Sequence, residues 1–251
     1  MKFRHSIRNS QSFLFSAKES DEAYYDVAYE LTKKLFIGMA KHALAFNSTK
    51  YDIYEPPFVF RERQLDTLIM PVLVSLCKGL AFAEYPMTRN SKKKGLEIEN
   101  SQGRIDYWCI YKDYSVVIEV KHSYDNFETP CTNDERLLQR WRTMNIVQLG
   151  NVKDEIKHFE EKTKGVIRLG LHFVTSHSST NPSDNIRETY ISQERVMLDR
   201  LYKDLKTVSP DFMSVWEMDK DMVYYDNDRA YPGLIVIAKF FKDIKHKGSE
   251  D

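Results

Sequence analysis

The stretch GRIDYWCIYKDYSVVIEVKHS, residues 103–123, holds the pattern that decides the fold. Two runs rich in aromatic and β-branched residues flank Lys112-Asp113, the pattern of a β-hairpin. If the turn takes only those two residues, Tyr111 pairs with Tyr114 and Asp106 faces Glu119. A four-residue loop would set Asp106 opposite Lys121 instead. Glu119 and Lys121 are two positions apart, so they share one strand face at a spacing of roughly 7 Å. Asp106 shares its own face with Arg104 and Trp108. Either even-length loop brings Asp106, Glu119 and Lys121 to one face; a three-residue loop would not. Directly opposed carboxylates repel and weaken a sheet, so a cation belongs between them. Lys121 supplies part of that charge, and a divalent metal would supply the rest.

Working outward, the apolar run within 114–123 suits a central strand buried on both faces. Residues 81–88 and 104–111 read as strands separated by a lysine-rich stretch, Arg89 to Gly103. Upstream, Ser20-Asp21-Glu22 opens a helix over 20–46, with Tyr24, Val27, Leu31, Leu35, Met39 and Ala43 at helical steps. Pro56-Pro57 breaks the chain. A second helical face follows at Leu65, Ile69, Val72, Leu76 and Leu80, and Pro71 within it predicts a kink or two pieces. Downstream, 133–162 reads as one or two helices, 166–175 as a strand and 176–185 as a polar loop. A helix near 192–206, short strands near 212–217 and 221–225, and a last strand at 234–240 complete the chain.

That order predicts one α/β domain over residues 1–251, with a central mixed β-sheet flanked by helices. Its core spans about 60–175, with an N-terminal helical extension (1–55) and a C-terminal α/β extension (186–251). The C-terminal part could complete the sheet, form a homodimer surface or select substrate.

The chain has 251 residues, 42% of them hydrophobic and 29% charged, enough for a real core and too apolar for wholesale disorder. Lys+Arg and Asp+Glu both number 37, which excludes a polycation but leaves a local basic face open. Three cysteines with no C-x-x-C suggest neither a disulfide framework nor a zinc knuckle. The start lacks the apolar core of a signal peptide, and no run approaches a membrane span. The expectation is a cytoplasmic protein with no membrane partner.

Asp106, twelve intervening residues, then Glu119-Val120-Lys121, with an apolar strand leading in, resembles the PD-(D/E)xK nuclease superfamily. The likeness is close to archaeal Holliday junction resolvases and restriction-endonuclease-like proteins. Such proteins often carry a glutamate on a helix before the hairpin, and Phe60-Arg61-Glu62-Arg63-Gln64-Leu65 offers Glu62 in a similar order. The resemblance covers roughly residues 60–150. Ile105 stands where many members have proline, and the glutamine often found on the next helix has two candidates, Gln139 and Gln148.

The resemblance implies a restriction-endonuclease-like αβββαβ core and a nuclease dependent on Mg²⁺ or Mn²⁺, acting on DNA ahead of RNA. Asp106 and Glu119 would be metal ligands, with the Val120 carbonyl as a third oxygen. A hard cation that keeps several waters needs only one or two carboxylates. Lys121 would position or deprotonate the attacking water, and Glu62 would hold a metal-bound water or a second ion. Arg89, Lys93, Arg104 and Arg140 would neutralise phosphates. The plain reading of the same residues is a cross-strand salt bridge, a solvated helix-start glutamate, a solvated basic loop, and Trp141 as core. Two rivals follow: a catalytically inactive nuclease fold that binds nucleic acid or a partner, and an unrelated interaction protein. His122 points away from Lys121 and reads as structural.

Overall fold

The computed structural model describes residues 2–8, 11–48, 50–90, 100–128, 135–152, 162–178, 184–226 and 228–242. In chain order the elements are β1 (Lys2–Arg8), β2 (Gln11–Ala17), α1 (Ala23–Ala43), β3 (Asn47–Ser48), β4 (Ile53–Tyr54) and α2 (Asp66–Leu76). Then come β5 (Ala81–Asn90), β6 (Asn100–Tyr111), β7 (Tyr114–Asn126), α3 (Glu135–Arg142) and β8 (Val166–His177). The chain continues through α4 (Ile186–Asp204), β9 (Phe212–Glu217), β10 (Tyr224–Asp226), β11 (Arg229–Tyr231) and β12 (Gly233–Lys242).

Eight strands form one sheet in the order β1-β2-β9-β12-β8-β7-β6-β5. Among the described residues only β7 and β8 pair in parallel, so the sheet is mixed and mainly antiparallel. Helices cover both faces. Leu31 and Leu35 of α1 and Leu68 and Leu73 of α2 pack with Ile118, Val120, Leu169 and Leu171 on one side. Leu137 and Trp141 of α3 and Met197 and Leu198 of α4 pack with Val174, Val215 and Ile235 on the other. Residues of both β7 and β8 are almost continuously buried, as an apolar run between two helical layers requires.

Several expectations need correction. β1 and β2 pair with each other as antiparallel strands rather than forming part of a helical extension, and β2 pairs with β9. Phe13 and Phe15 face the α1 layer and Leu14 the α4 layer, so this short run gains burial only by joining the sheet. Of the roles left open for the C-terminal segment, completing the sheet is the one seen: β12 lies between β9 and β8. Pro71 does not split α2, which runs as one helix after a 3₁₀ turn at Glu62–Leu65. Beyond Arg142, α3 continues into a π-helical turn, Thr143–Gln148, and then a 3₁₀ turn. The helix expected at 192–206 starts earlier, at Ile186. Near 221–225 a 3₁₀ turn, Lys220–Met222, precedes β10. Among the described residues, no helix is long and apolar enough to cross a membrane.

The two-residue hairpin turn is present. Tyr111 pairs with Tyr114, and Lys112 and Asp113 take φ of 48° and 67°. Positive φ at both central positions is the type I′ geometry that matches strand twist, usually with Asn-Gly. Here α1 holds the turn: Glu30 accepts Lys112 Nζ, Tyr111 OH at 3.0 Å and Lys34 Nζ at 2.7 Å. Lys112 first, then Lys34, hold the Glu30 carboxyl down at about 2. Asp113 gains only an exposed ion pair with Lys164 at 2.9 Å. Left-handed backbone costs an L-residue about 1–2 kcal/mol, and a fully exposed ion pair offsets little of it. Asp113→Gly is therefore expected to stabilise the protein by about 0.5–1 kcal/mol in urea titrations, and an equal loss would show that the Lys164 contact governs the turn.

Under α4, Glu194 and Glu217 of β9 are both buried, 3% and 4% exposed. Burial first, and then the hydrogen bond with Glu217, push the Glu194 carboxyl up to about 8. The folded state thus binds a proton that the unfolded chain releases above about 4.5, the ordinary value. Stability from this group is present at low pH and is lost as pH rises towards 8. His122 and His172, pushed down to about 4 and 3 chiefly by burial, act in the opposite sense and cost stability as pH falls below 6.5. The difference between wild type and Glu194→Gln isolates the carboxyl: melting temperatures should converge below about 4.5, with the variant gaining as pH climbs from there towards 8 and the difference levelling above it. A pH-independent difference would mean Glu194 is ionised throughout.

Candidate active site

The site forms where β6 leaves β7. Their ladder runs from Tyr111↔Tyr114 to Tyr107↔Ile118 and ends one step before Asp106 could face Glu119. The β5–β6 ladder skips the same position: it joins Ala83 to Tyr107 and Tyr85 to Ile105, and Glu84 between them takes φ of 54°. Such a local irregularity re-aims a side chain. The expected direct opposition of Asp106 and Glu119 is therefore replaced by another arrangement. Asp106 Oδ2 accepts the Val120 N–H at 2.6 Å, taking the place of a strand partner.

The next main-chain groups of β7 follow suit. The Val120 carbonyl accepts Lys121 Nζ at 2.8 Å, the His122 N–H donates to Glu62 Oε2 at 3.1 Å, and the His122 carbonyl accepts Arg140 Nη1. Four polar main-chain groups that strand pairing would satisfy are instead held by two carboxylates, an ammonium and a guanidinium. Unsatisfied backbone is costly away from water, and charged partners make the stronger hydrogen bonds. Lys121 Nζ also lies 3.6 Å from Glu62 Oε1. Glu62 opens the 3₁₀ turn before α2, whose start is fixed by the Arg61 N–H donating to Gln64 Oε1 at 3.2 Å.

The sequence reading missed Asp66. One helical turn beyond Glu62, its carboxylate accepts Tyr107 OH, and Tyr107 itself is buried. Burial first, then the Asp66 hydrogen bond, push the Tyr107 phenol far up, with the charges of Asp106 and Glu62 adding to it. The i, i+4 spacing of Glu62 and Asp66 was the available signal.

Glu119 sits deeper, 1% exposed, in register with Gly170 of β8. It shares its strand face with Val117 and Lys121, and Leu149, just after the π-helical turn, packs with Val117 there. That turn comes so close that a Cβ on Gly170 would stand 2.4 Å from Asn145 Oδ1. His122 and His172 are structural: His122 Nε2 meets the Thr175 hydroxyl at 2.8 Å, and His172 Nε2 meets the Ser123 hydroxyl at 2.9 Å. Trp141 is core, donating its indole N–H to the Val208 carbonyl at 2.8 Å.

Of the basic residues singled out from the sequence, Arg140 joins the cluster. Arg104 pairs with Glu84 at 3.1 Å on an exposed surface. Arg89 falls within β5, and Lys93 lies outside the described residues. Gln139 is exposed on α3 beside Glu135 and Arg142, while Gln148 lies in the π-helical turn with Oε1 buried.

Chemically, the cluster offers hard oxygen donors beside one ammonium. Asp106 spends one oxygen on Val120, which leaves it a second, while Glu62 spends one on His122 and turns the other to Lys121. That donor set suits a hard divalent cation that retains most of its waters. Among the described residues, no three His, Cys, Asp or Glu side chains are grouped to hold an ion by themselves. No family model, curated protein or solved structure matches the chain.

Asp106→Ala would strand the Val120 N–H, so it is expected to destabilise by about 1–2 kcal/mol. Asp106→Asn keeps an acceptor oxygen and should stay within about 0.5 kcal/mol of wild type. Equal losses in chemical denaturation would show that the carboxylate's charge, not its acceptor oxygen, holds this edge.

Proposed function

We propose that this chain is a divalent-metal-dependent nuclease of the PD-(D/E)xK type, hydrolysing phosphodiester bonds in DNA ahead of RNA, in the cytoplasm. The observation that carries the reading is the meeting of Asp106, Glu62 and Lys121 on one open strand edge, with Lys121 Nζ 2.8 Å from the Val120 carbonyl and 3.6 Å from Glu62. The sequence pattern supports it independently.

A bound Mg²⁺ would supply a water ionised near neutral pH and would stabilise charge on the phosphate. The remaining oxygen of Asp106 and the buried Glu119 are the residues that would hold it. Lys121, with its side chain 16% exposed, would orient the attacking water or steady the scissile phosphate. Glu62 keeps that ammonium in place and Arg140 adds positive charge where a phosphate would approach. One observation favours the second reading, a nuclease fold that binds nucleic acid without cutting it: Lys121 occupies the Val120 carbonyl, the oxygen that the resemblance gives to the metal.

Lys121→Ala should lower single-turnover cleavage by about 10²–10⁴-fold, as expected for loss of a positioned acid–base group. Affinity for nucleic acid should change little, since phosphate contacts elsewhere dominate it. Asp106→Asn should in addition raise the Mg²⁺ or Mn²⁺ concentration needed. The assay runs cleavage and binding side by side over single-stranded, duplex, branched and RNA substrates at fixed salt. Binding without cutting under any divalent ion would establish the second reading, and cutting by Lys121→Ala at the wild-type rate would place the activity elsewhere.

A further inference from the structure

The strand edge that carries the candidate site continues past His122 to Tyr124, which is 39% exposed although β7 is otherwise almost wholly buried. The Tyr124 hydroxyl donates to the Val59 carbonyl at 3.2 Å and to the Phe60 carbonyl. The His122 ring packs edge-on against it, centroids 4.8 Å apart. Tyr124 is thus fixed in place and still meets solvent. Phe60, on the segment that Tyr124 pins, is also 39% exposed. Phe60 stands two residues before Glu62 and Tyr124 two after His122, and the His122 N–H donates to Glu62 at 3.1 Å. Two solvent-facing aromatic rings therefore stand beside the spot where Lys121, Glu62 and Arg140 meet.

The charges there suit phosphates. Arg61, between Phe60 and Glu62, is exposed. Arg140 spends a donor on the neutral His122 carbonyl, a bond that leaves its charge for a phosphate. The Glu62 carboxylate is matched by Lys121 at 3.6 Å. Guanidinium groups beside aromatic rings suit a nucleic-acid strand, with phosphates on the charges and bases on the rings. Within a duplex each interior base is covered on both faces by its neighbours, so such rings serve only a base that has left the stack.

We propose that Phe60 and Tyr124 are stacking platforms for unpaired bases, which makes single-stranded DNA the substrate class of this site. The proposal rests on the nuclease reading for placing nucleic acid at this edge, and adds the state of the strand.

The test is fluorescence anisotropy of the full chain with oligothymidylate, an abasic strand of equal length, and the oligothymidylate–oligoadenylate duplex, in EDTA at fixed salt. The two single strands carry the same phosphates, so their difference reads the bases alone. Oligothymidylate should bind about a hundredfold more tightly than the abasic strand, from two base–aromatic stacks of about tenfold each, and more tightly than the duplex. Phe60→Leu and Tyr124→Leu should each lose about tenfold of that advantage with abasic affinity unchanged. Tyr124→Phe, which keeps the ring and loses the hydroxyl, should retain it. Thermal melts check that each variant folds, and Phe60→Leu reads the stack without touching the Tyr124 hydroxyl. Equal affinity for the two single strands, tighter binding of the duplex, or Leu variants that weaken both single strands alike would each overturn the proposal. Divalent metal is absent, so the two readings fail separately. A base-dependent advantage without cutting under any ion would overturn cleavage alone, and cutting without that advantage would overturn the stacking proposal alone.

Discussion

The parting of β6 from β7 beyond Tyr107 and Ile118 is the constraint on which the candidate site depends. A strand that loses its neighbour exposes a row of amides and carbonyls, and something must take them. Here Asp106, Lys121, Glu62 and Arg140 do so, arriving from β6, β7, the turn before α2 and α3. Charged groups are thus drawn from four places in the chain to one spot by backbone hydrogen bonding. The other edge of β7 stays paired with β8 as far as Asn126↔His177, so the open edge belongs to a strand fixed on its far side.

The two faces of β7 divide the labour. Val116, Ile118 and Val120 face the α1 and α2 layer and bury apolar surface. On the opposite face Glu119, Lys121, Ser123 and Asp125 follow one another at alternate positions. Polar groups there are costly unless partnered. Ser123 is partnered by His172, and Asp125 by Arg200 of α4. The same layer holds Glu194 beside Glu217, its carboxyl pushed up by burial, so its polar chemistry extends well beyond the open edge.

Glu62 owes its place to a short, anchored approach. Phe58 is fully buried, and its carbonyl accepts the Thr175 hydroxyl at 2.6 Å. Tyr124 OH donates to the carbonyls of Val59 and Phe60. The segment from Pro56 to Glu62 is therefore pinned to the sheet from both β7 and β8.

The sequence by itself determined what depends on local pattern. The helical period of 20–46, the apolar run of β7 and the Lys112-Asp113 turn were legible, because each is set by neighbours a few residues apart. So were the residue types Asp106, Glu119 and Lys121, and the structural character of His122 and Trp141. Tertiary structure decided the rest. The place of the β1–β2 pair and the central place of β12 depend on pairings with strands far along the chain, which leave no local period. Glu84 at positive φ and the skipped pair at Asp106 are set by how the β5–β6 arm bends away, and no spacing rule predicts a bend. The contacts of Asp66, Arg140 and Glu62 likewise arise only after the α2 and α3 segments pack on the sheet, since a side chain's hydrogen-bond partner is chosen by the backbone left open to it.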